Sequence, residues 1–384
     1  MKITKLGSAT VIIDTGEVKI LTDPWLVDGA YYGSWCNYPP IPIKQINFKQ
    51  IDFIYVSHIH PDHFDIKTFE YIPKDIPVLI HSFEKKFLKA NIERIGFKAI
   101  ELLNGESFQL SNQSSITIFA CDNCDPSLCG HMFGCIPSNI KGSMQLDTLA
   151  VIKNEKYTLV NTNDCSIEIA KNALSIIKMN NPSIDIALVG YSPASLYPHC
   201  MMNYTQEQMK NGMNSAIKSG LNRGIKAVNI LKPKFFMPFA GSYIIGGKHH
   251  HKNKNLPLIE LQDAARSIKE NVEADSVLLN FNETFDLNTG KSSKKYDIVN
   301  TSERTNYIKN ILSKKRYSYE DDELPNNEEL TILFEKSLNR LKSKANEISF
   351  SEKNLSLYFD LNNDQFFRID MDNFDNQIIN YIDK

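Results

Sequence analysis

Short, nearly continuous runs of apolar residues separated by turns characterise the first part of the chain. The runs predict strands at residues 3–6, 9–14, 18–22 and 51–56. Strands that are apolar at consecutive positions are typical of sheets covered on both faces. Helical periodicity follows at residues 66–71, with Asp65 at the N-cap position, and again at residues 83–95.

The same alternation of strands and helices then repeats. Further strands are predicted at residues 115–120, 148–153, 157–161, 184–190 and 235–238, and helices at residues 166–179 and 205–230. Two successive halves, each of strands flanked by helices, indicate an α/β fold. We expect a four-layer αββα sandwich rather than a single doubly wound sheet.

The composition changes near residue 291, where Lys, Ser, Glu, Asp and Asn become frequent and long apolar runs cease. We therefore expect a large α/β domain over residues 1–290, a polar linker over 291–326 and a small α+β appendage over 327–384. The appendage should contain an amphipathic helix at 328–348 and a pair of strands at 355–360 and 365–370. Packing or dimerisation is its expected role.

Charge and composition exclude several classes of protein. With 42% hydrophobic and 23% charged residues and a net charge of -2, the chain has no general field to attract nucleic acid or an anionic membrane. No run approaches the ~20 apolar residues that a membrane-spanning helix needs. Seven cysteines in a chain this long favour a reducing, cytoplasmic location. A small-molecule substrate fits best.

Four potential metal ligands lie within six residues, directly after the apolar run at 51–56. They are His58, His60, Asp62 and His63. Imidazole and carboxylate groups are ligands that zinc, iron and manganese accept. Imidazole and carboxylate groups this close together are stabilised when they share a cation. We therefore predict a metal site here.

The spacing His-x-His-x-Asp-His after an apolar strand resembles the signature of the metallo-β-lactamase superfamily. Asp23, in Thr-Asp-Pro-Trp, matches the earlier acidic motif of that superfamily. The resemblance implies a dinuclear centre in which His58 and His60 hold one metal and Asp62 and His63 the other. It also implies that Asp164, in Val-Asn-Thr-Asn-Asp-Cys, bridges the two ions, and it makes Asp62 and Asp164 the candidate catalytic carboxylates. Asp164 also lies at the position of a helix N-cap.

One further ligand is needed for each metal. His131, in a loop rich in Gly and Cys, is the candidate for the first, with Asp122 and Asp125 as alternatives nearer the strand end. The run of three histidines at 249–251 supplies the candidate for the second. We favour His249 over His250 and His251.

Within the superfamily, the chain is similar to the catalytic domain of the CMP-N-acetylneuraminate hydroxylase family. The similar segments are residues 55–58, 147–148, 161–165 and 238–241. The resemblance implies a di-iron, O2-dependent hydroxylase of a small metabolite, with electrons delivered by a Rieske domain. The chain contains no Cys-x-His…Cys-x-x-His segment, so either a separate electron donor serves it or its chemistry differs. The alternative is a zinc or manganese metallohydrolase that acts on a phosphodiester, lactone or thioester.

Two other groups of residues have a chemical and a structural interpretation. Cys121, Cys124, Cys129 and Cys135 have the spacing C-x2-C-x4-C-x5-C, which can bind zinc or an iron–sulfur cluster but equally fits a loop of small residues. Trp25, Tyr31, Tyr32 and Trp35 are candidate substrate-binding residues, because aromatic faces beside a metal can stack on a ring. The alternative is a segment held over the core by its aromatic rings.

Overall fold

Two β-sheets dominate the first of two structural units. The computed structural model describes residues 1–83, 85–121, 147–165, 167–323, 325–347, 356–360, 366–370 and 380–381. The first unit comprises residues 1–135 and 139–320, and the second comprises residues 136–138 and 321–384.

The first sheet of the larger unit has eight strands within the described residues. In spatial order these are β17 (Lys291–Ser292), β16 (Thr284–Asp286), β1 (Lys2–Lys5), β2 (Val11–Asp14), β3 (Lys19–Thr22), β5 (Phe53–Tyr55), β6 (Val78–His81) and β7 (Ala99–Leu102). β3, β5, β6 and β7 are parallel to one another, and the other neighbouring strands pair antiparallel.

The second sheet has seven strands in the described part of the chain. Their order is β15 (Asp275–Ser276), β13 (Phe235–Phe239), β12 (Ile186–Gly190), β11 (Thr158–Asn161), β10 (Thr148–Lys153), β9 (Ser115–Ala120) and β8 (Ser107–Gln109). β11, β12, β13 and β15 are parallel. Two short strands, β4 (Trp35–Cys36) and β14 (Ile244–Ile245), form a separate antiparallel pair.

Helices cover the outer face of each sheet. α1 (Ile66–Phe69) and α2 (Phe87–Arg94) pack on the first sheet. α3 (Ile167–Asn180), α4 (Gln206–Leu231) and α5 (Leu261–Lys269) pack on the second. A further helix of this unit is α6 (Thr301–Asn310), and short 3-10 helices lie at Ile43–Gln45, Phe48–Gln50, Gly247–Asn255 and Leu312–Lys314.

Alternation of side chains along the strands separates three layers of core. On β1 and β2, Ile3, Val11 and Ile13 enter the core between the two sheets. Ile12 points the opposite way, into the core beneath α1 and α2. The second sheet is sandwiched in the same way, which gives the four-layer αββα arrangement that the sequence pattern predicts.

Residues 291–326, which the sequence suggested as a polar linker, carry more structure than their composition indicates. The structure assigns residues 291–320 to the first unit. Ile308, Leu312 and Tyr317 are buried there, at 9%, 0% and 2% exposure. Three anchoring side chains spaced by four or five residues are enough to fix a segment that is otherwise polar.

The second unit contains α7 (Asn327–Glu347) and a small antiparallel sheet. The sheet strands are β18 (Ser356–Asp360), β19 (Phe366–Asp370) and β20 (Asn380–Tyr381). Phe334 and Leu338 of α7 form a core with Ile369 of β19. In the described part of the chain, no helix is both long and apolar enough to cross a membrane.

The end of α4 provides a test of backbone strain. Lys232, an exposed residue, ends this helix in the left-handed conformation, with φ 45° and ψ 58°. Because glycine adopts this conformation without steric cost, Lys232→Gly should raise the free energy of unfolding by ~1 kcal/mol. Lys226→Gly, at an exposed position inside the same helix, should lower it by ~1 kcal/mol. Urea unfolding of both variants measures the difference, and the same sign for both would contradict the explanation.

Candidate metal centre

The predicted ligands lie where strands of both sheets end at one edge of the sandwich. β3 leads into Asp23, β5 leads into His58, and β11 leads into Asp164. Hydrogen bonds join the two sheets at this edge: the hydroxyl oxygens of Tyr55 and Thr148 lie 2.7 Å apart, and the Thr148 hydroxyl donates to the Ser57 carbonyl at 2.8 Å. The edge is therefore a junction between the sheets.

One group of possible ligands consists of His58, His60 and Asp147. Their ligand atoms lie within 4.8 Å of one another. Nε2 of His58 is 2.7 Å from Nδ1 of His60 and 3.5 Å from Oδ1 of Asp147. Two imidazoles and one carboxylate thus converge on a common point.

A second group contains His63, Asp164 and Asp62. Nε2 of His63 is 3.3 Å from Oδ2 of Asp164 and 3.7 Å from Oδ2 of Asp62. The ligand atoms of His58, His63 and Asp164 also lie within 4.8 Å of one another. His58 therefore belongs to both groups, and the two form one continuous cluster.

Asp23 and Ser57 contact the side of the His63 ring that faces away from the cluster. Oδ2 of Asp23 lies 3.0 Å from Nδ1 of His63 and accepts a hydrogen bond from the Ser57 hydroxyl at 2.8 Å. Oδ1 accepts from the Ser57 backbone N–H at 2.7 Å. Because Nδ1 of His63 faces Asp23, its Nε2 is directed into the cluster. A carboxylate behind a ligating imidazole fixes the orientation and the tautomer of the ring.

The backbone is strained where these strands end. Asp23, Asn163 and Ala240 follow β3, β11 and β13 and have φ of 37°, 46° and 47°. Non-glycine residues adopt this left-handed region at a cost of ~1 kcal/mol or more, and they persist there when the surroundings dictate it. All three lie at the edge that carries the cluster.

Burial and mutual charge shift the pKa values of the cluster in opposite directions. Burial, followed by the charge of His63, lowers the pKa of His58 well below its usual value. Burial acts on His63 in the same sense, but the carboxylates of Asp164, Asp23 and Asp62 outweigh it and raise its pKa. Burial raises the pKa of Asp147 to about 7, with a further contribution from Asp164.

The residues present fit a metal centre. Oδ1 of Asp147 is buried and accepts no hydrogen bond from the described residues, although a buried carboxylate oxygen normally has a partner. Imidazole nitrogens 2.7 Å apart, with carboxylates beside them, form a donor set that transition-metal ions accept. We infer that the cluster is arranged for cations.

Tyr31 is the aromatic residue of the predicted substrate-binding set that contacts this cluster. Its hydroxyl donates to Oδ1 of Asp62 at 3.0 Å. Trp35 lies behind it, with ring centroids 4.4 Å apart, and stacks on Tyr243 at 3.5 Å. Trp25 is 1% exposed and belongs to the core, whereas Tyr32 is 75% exposed.

The three consecutive histidines lie on the 3-10 helix Gly247–Asn255. The backbone N–H of His249 donates to the Tyr317 hydroxyl at 3.2 Å, and its ring is 5.6 Å from that of Tyr317. Nδ1 of His250 lies 3.0 Å from the Gly247 carbonyl oxygen, and His251 is exposed. Among the described residues, the candidate metal groups include none of the three.

Several predicted residues lie outside the part of the chain that the structure describes. These are His131, Asp122, Asp125, Cys124, Cys129 and Cys135. Cys121 is described, and its sulfur lies 2.8 Å from that of Cys165, the neighbour of Asp164. Both cysteines are free.

Asp147 lies in the cluster although it was not among the predicted ligands. It precedes β10, and the pairing of β10 with β9 and β11 brings it opposite His58. The signal in the sequence was its place in the segment 147–148, one of the similarities to the hydroxylase family. A single aspartate before a strand carries too little pattern to be chosen over a nearby histidine.

The sequence matches a family model described as a beta-lactamase superfamily domain over residues 2–134. Among solved structures, the chain is similar to an isothiocyanate hydrolase from Delia radicum gut bacteria. The TM-score is 0.51 at 16% identity, covering 74% of this chain and 99% of that one. The chain has the metallo-β-lactamase superfamily fold. We therefore refer to residues 1–135 and 139–320 as the metallo-β-lactamase unit.

Two kinds of sequence relative extend the comparison. The cytidine monophosphate-N-acetylneuraminic acid hydroxylase of Danio rerio is 24% identical over 252 residues, 63% of this chain. A putative Rieske 2Fe-2S iron–sulfur protein of Mycolicibacterium smegmatis is 36% identical over 101 residues, 25% of this chain. The chain spans 38% of the first relative's length and 19% of the second's. The predicted resemblance to the hydroxylase family is confirmed.

The hydrogen bond from Tyr31 provides a pH-dependent test. Burial raises the pKa of Asp62, while the Tyr31 hydroxyl and nearby imidazoles act to lower it. Tyr31→Phe removes one of the lowering effects, so Asp62 should take up its proton at a higher pH. Metal should then be lost at a higher pH during stepwise acidification, followed by elemental analysis. Tyr32→Phe, at a 75% exposed residue, is the control and should titrate like the wild type.

Substitution of individual ligands tests the geometry of the cluster. His58→Ala and Asp164→Ala should each reduce the metal content by at least one ion per chain, because each removes a group that converges on the cluster. His249→Ala should retain the wild-type content, because His249 contacts Tyr317 instead. Exposed His251 supplies the matched control, His251→Ala. Full metal content in both His58→Ala and Asp164→Ala would contradict the assignment.

Proposed function

We propose that the chain is a dinuclear metalloenzyme, a di-iron oxygenase that hydroxylates a small metabolite with O2. The observation that supports this most is the group His58, His60 and Asp147. Two histidines and one carboxylate that leave coordination positions open are the ligand set typical of non-haem ferrous oxygenases. Catalytic zinc sites can also be built from two histidines and one carboxylate, so this ligand set accepts either metal. The choice of iron in our proposal rests on the relative that is named as a hydroxylase.

The second group supports a centre of two ions. His63, Asp62 and Asp164 provide one imidazole and two carboxylates, and Asp164 also lies within reach of His58. In our proposal His58, His60 and Asp147 would hold one iron, Asp62 and His63 would hold the other, and Asp164 would serve both. When bound, the irons would supply the redox chemistry with O2.

The surrounding residues have defined tasks in this proposal. Asp23 and Ser57 keep Nε2 of His63 directed inward and hold the proton on Nδ1. Tyr31 occupies one oxygen of Asp62, which leaves the other oxygen for the metal. The buried Tyr55 and Thr148 keep the two sheets, and therefore the two ligand groups, at a fixed separation.

Hydroxylation of a C–H bond by O2 requires two electrons from outside the substrate bond, because the second oxygen atom leaves as water. We propose that a separate electron donor supplies them, and two relatives support this. One is a hydroxylase by name, and the other is named for a Rieske iron–sulfur centre. The free thiols Cys121 and Cys165 are consistent with a reducing location such as the cytoplasm.

Exchange of the metal separates the oxygenase from the hydrolase. Protein loaded with ferrous iron should consume O2 and change its absorbance on mixing with air-saturated buffer. Zinc-loaded protein should do neither, because zinc has no redox chemistry. Stopped-flow absorbance and an oxygen electrode provide the measurements, with His58→Ala as the inactive control.

The hydrolytic alternative makes the opposite prediction. Zinc- or manganese-loaded protein would cleave phosphodiester, lactone or thioester substrates without O2, and iron would be dispensable. Turnover of any of these substrates by zinc-loaded protein under anaerobic conditions, with no O2 uptake by the iron-loaded protein, would overturn the proposal.

A further inference from the structure

A cavity of about 440 Å³ opens at the same edge of the metallo-β-lactamase unit as the metal cluster. Its walls include the segments that follow β1, β12, β13 and β15, together with residues from the ranges 37–41, 258–261 and 296–304. Tyr243 is part of the wall and also stacks on Trp35. A volume of this size is in the range of small-molecule sites.

Lys5 faces this cavity from an unusual position in the sheet. It has the same orientation on β1 as Ile3, whose side chain is fully buried between the two sheets. Its strand partner, Val11, also enters that core. The alternation along β1 therefore predicts an apolar residue at position 5, and the chain has an ammonium there instead.

This ammonium has no partner among the described residues. Arg304, the other cation in the cavity wall, is neutralised by Glu260, with contacts of 3.0 and 2.5 Å. Asp297 and Glu303 also line the cavity but are exposed at its rim. Burial lowers the pKa of Lys5 to about 8, and no carboxylate contributes to the shift. A cation at this depth normally has a counter-charge.

The rest of the wall is rich in aromatic surface. Tyr191 and Tyr243 are buried at 2% and 4% exposure, and Tyr38 and Tyr296 complete the tyrosine set. Tyrosine rings provide flat apolar surface together with a hydroxyl for orientation. A ligand with a planar or apolar body is therefore matched to this cavity.

We propose that the cavity is a binding site for a small organic carboxylate, with its anionic group on the Lys5 ammonium and its body among the tyrosines. One unpaired cation balances one negative charge, which favours a carboxylate over a phosphate dianion. The proposal does not depend on the chemistry of the metal cluster.

The proposal has a consequence for stability. An unpaired, partly desolvated ammonium destabilises the protein without its ligand, so Lys5→Met should raise the melting temperature of the ligand-free protein. Binding sites often retain groups that are unfavourable for folding and favourable for a ligand. Lys2→Met, on the exposed face of the same strand, is the matched control and should leave the melting temperature nearly unchanged.

The test measures thermal unfolding of the full, metal-loaded chain in increasing concentrations of benzoate. Wild type and Lys2→Met should show a rise in melting temperature with concentration, and Lys5→Met should lose it. Benzyl alcohol, which lacks the charge, should produce no shift, and phenyl phosphate should produce a smaller one. A shift of equal size in Lys5→Met, or none in the wild type, would overturn the proposal. So would a larger shift with phenyl phosphate.

A second measurement covers the case in which Lys5→Met fails to fold. Reductive methylation followed by peptide mass mapping should show that benzoate slows modification of Lys5 and leaves that of Lys2 unchanged, and equal modification of Lys5 with and without benzoate would count against the site. Both experiments should give the same result for iron-loaded and zinc-loaded protein. Failure of the carboxylate site and failure of the oxygenase proposal are therefore distinguishable.

Discussion

The buried contact between Asp23 and His63 is the constraint on which the arrangement of the cluster depends. Both side chains are almost completely removed from solvent, at 0% and 1% exposure, with their atoms 3.0 Å apart. A buried carboxylate is tolerated only with full hydrogen bonding, and Asp23 obtains it from both the backbone and the side chain of Ser57. The end of β3 thereby fixes the start of the loop that follows β5 and the direction of the His63 ring. The Ser57 hydroxyl also lies 2.9 Å from Nδ1 of His58.

The local part of this arrangement could be predicted from the sequence, because it depends on neighbours along the chain. Residues 58–63 follow one strand, and their spacing alone indicates a metal site. The αββα fold was also predictable, because alternating apolar runs and helices specify layers. Asp147 was not predictable in this way, since it approaches His58 only through the pairing of β9, β10 and β11.

Two other expectations show how tertiary packing changes the interpretation of a local pattern. His249 was predicted as a ligand because it follows a strand that ends at the edge with the cluster. In the structure, the 3-10 helix that contains it packs against Tyr317. Tyr317 itself lies in the stretch that its polar composition marked as a linker. Its hydroxyl donates to the Gly246 carbonyl at 2.7 Å, so one buried aromatic residue both anchors that stretch and receives the histidine segment. Composition averaged over a window cannot detect a single anchor of this kind.

The left-handed residues at the strand ends have a practical meaning for protein engineering. A designer who searches for stabilising substitutions would choose Asp23, Asn163 and Ala240 together, because glycine suits the backbone at each. The three positions are not equivalent. Asp23 and Asn163 use their side chains, toward His63 and toward the Thr148 carbonyl respectively, whereas the side chain of Ala240 is a methyl group. Glycine can therefore replace Ala240 and relieve the backbone strain there. At Asp23 and Asn163 the same replacement would also remove a side chain that contacts the cluster edge.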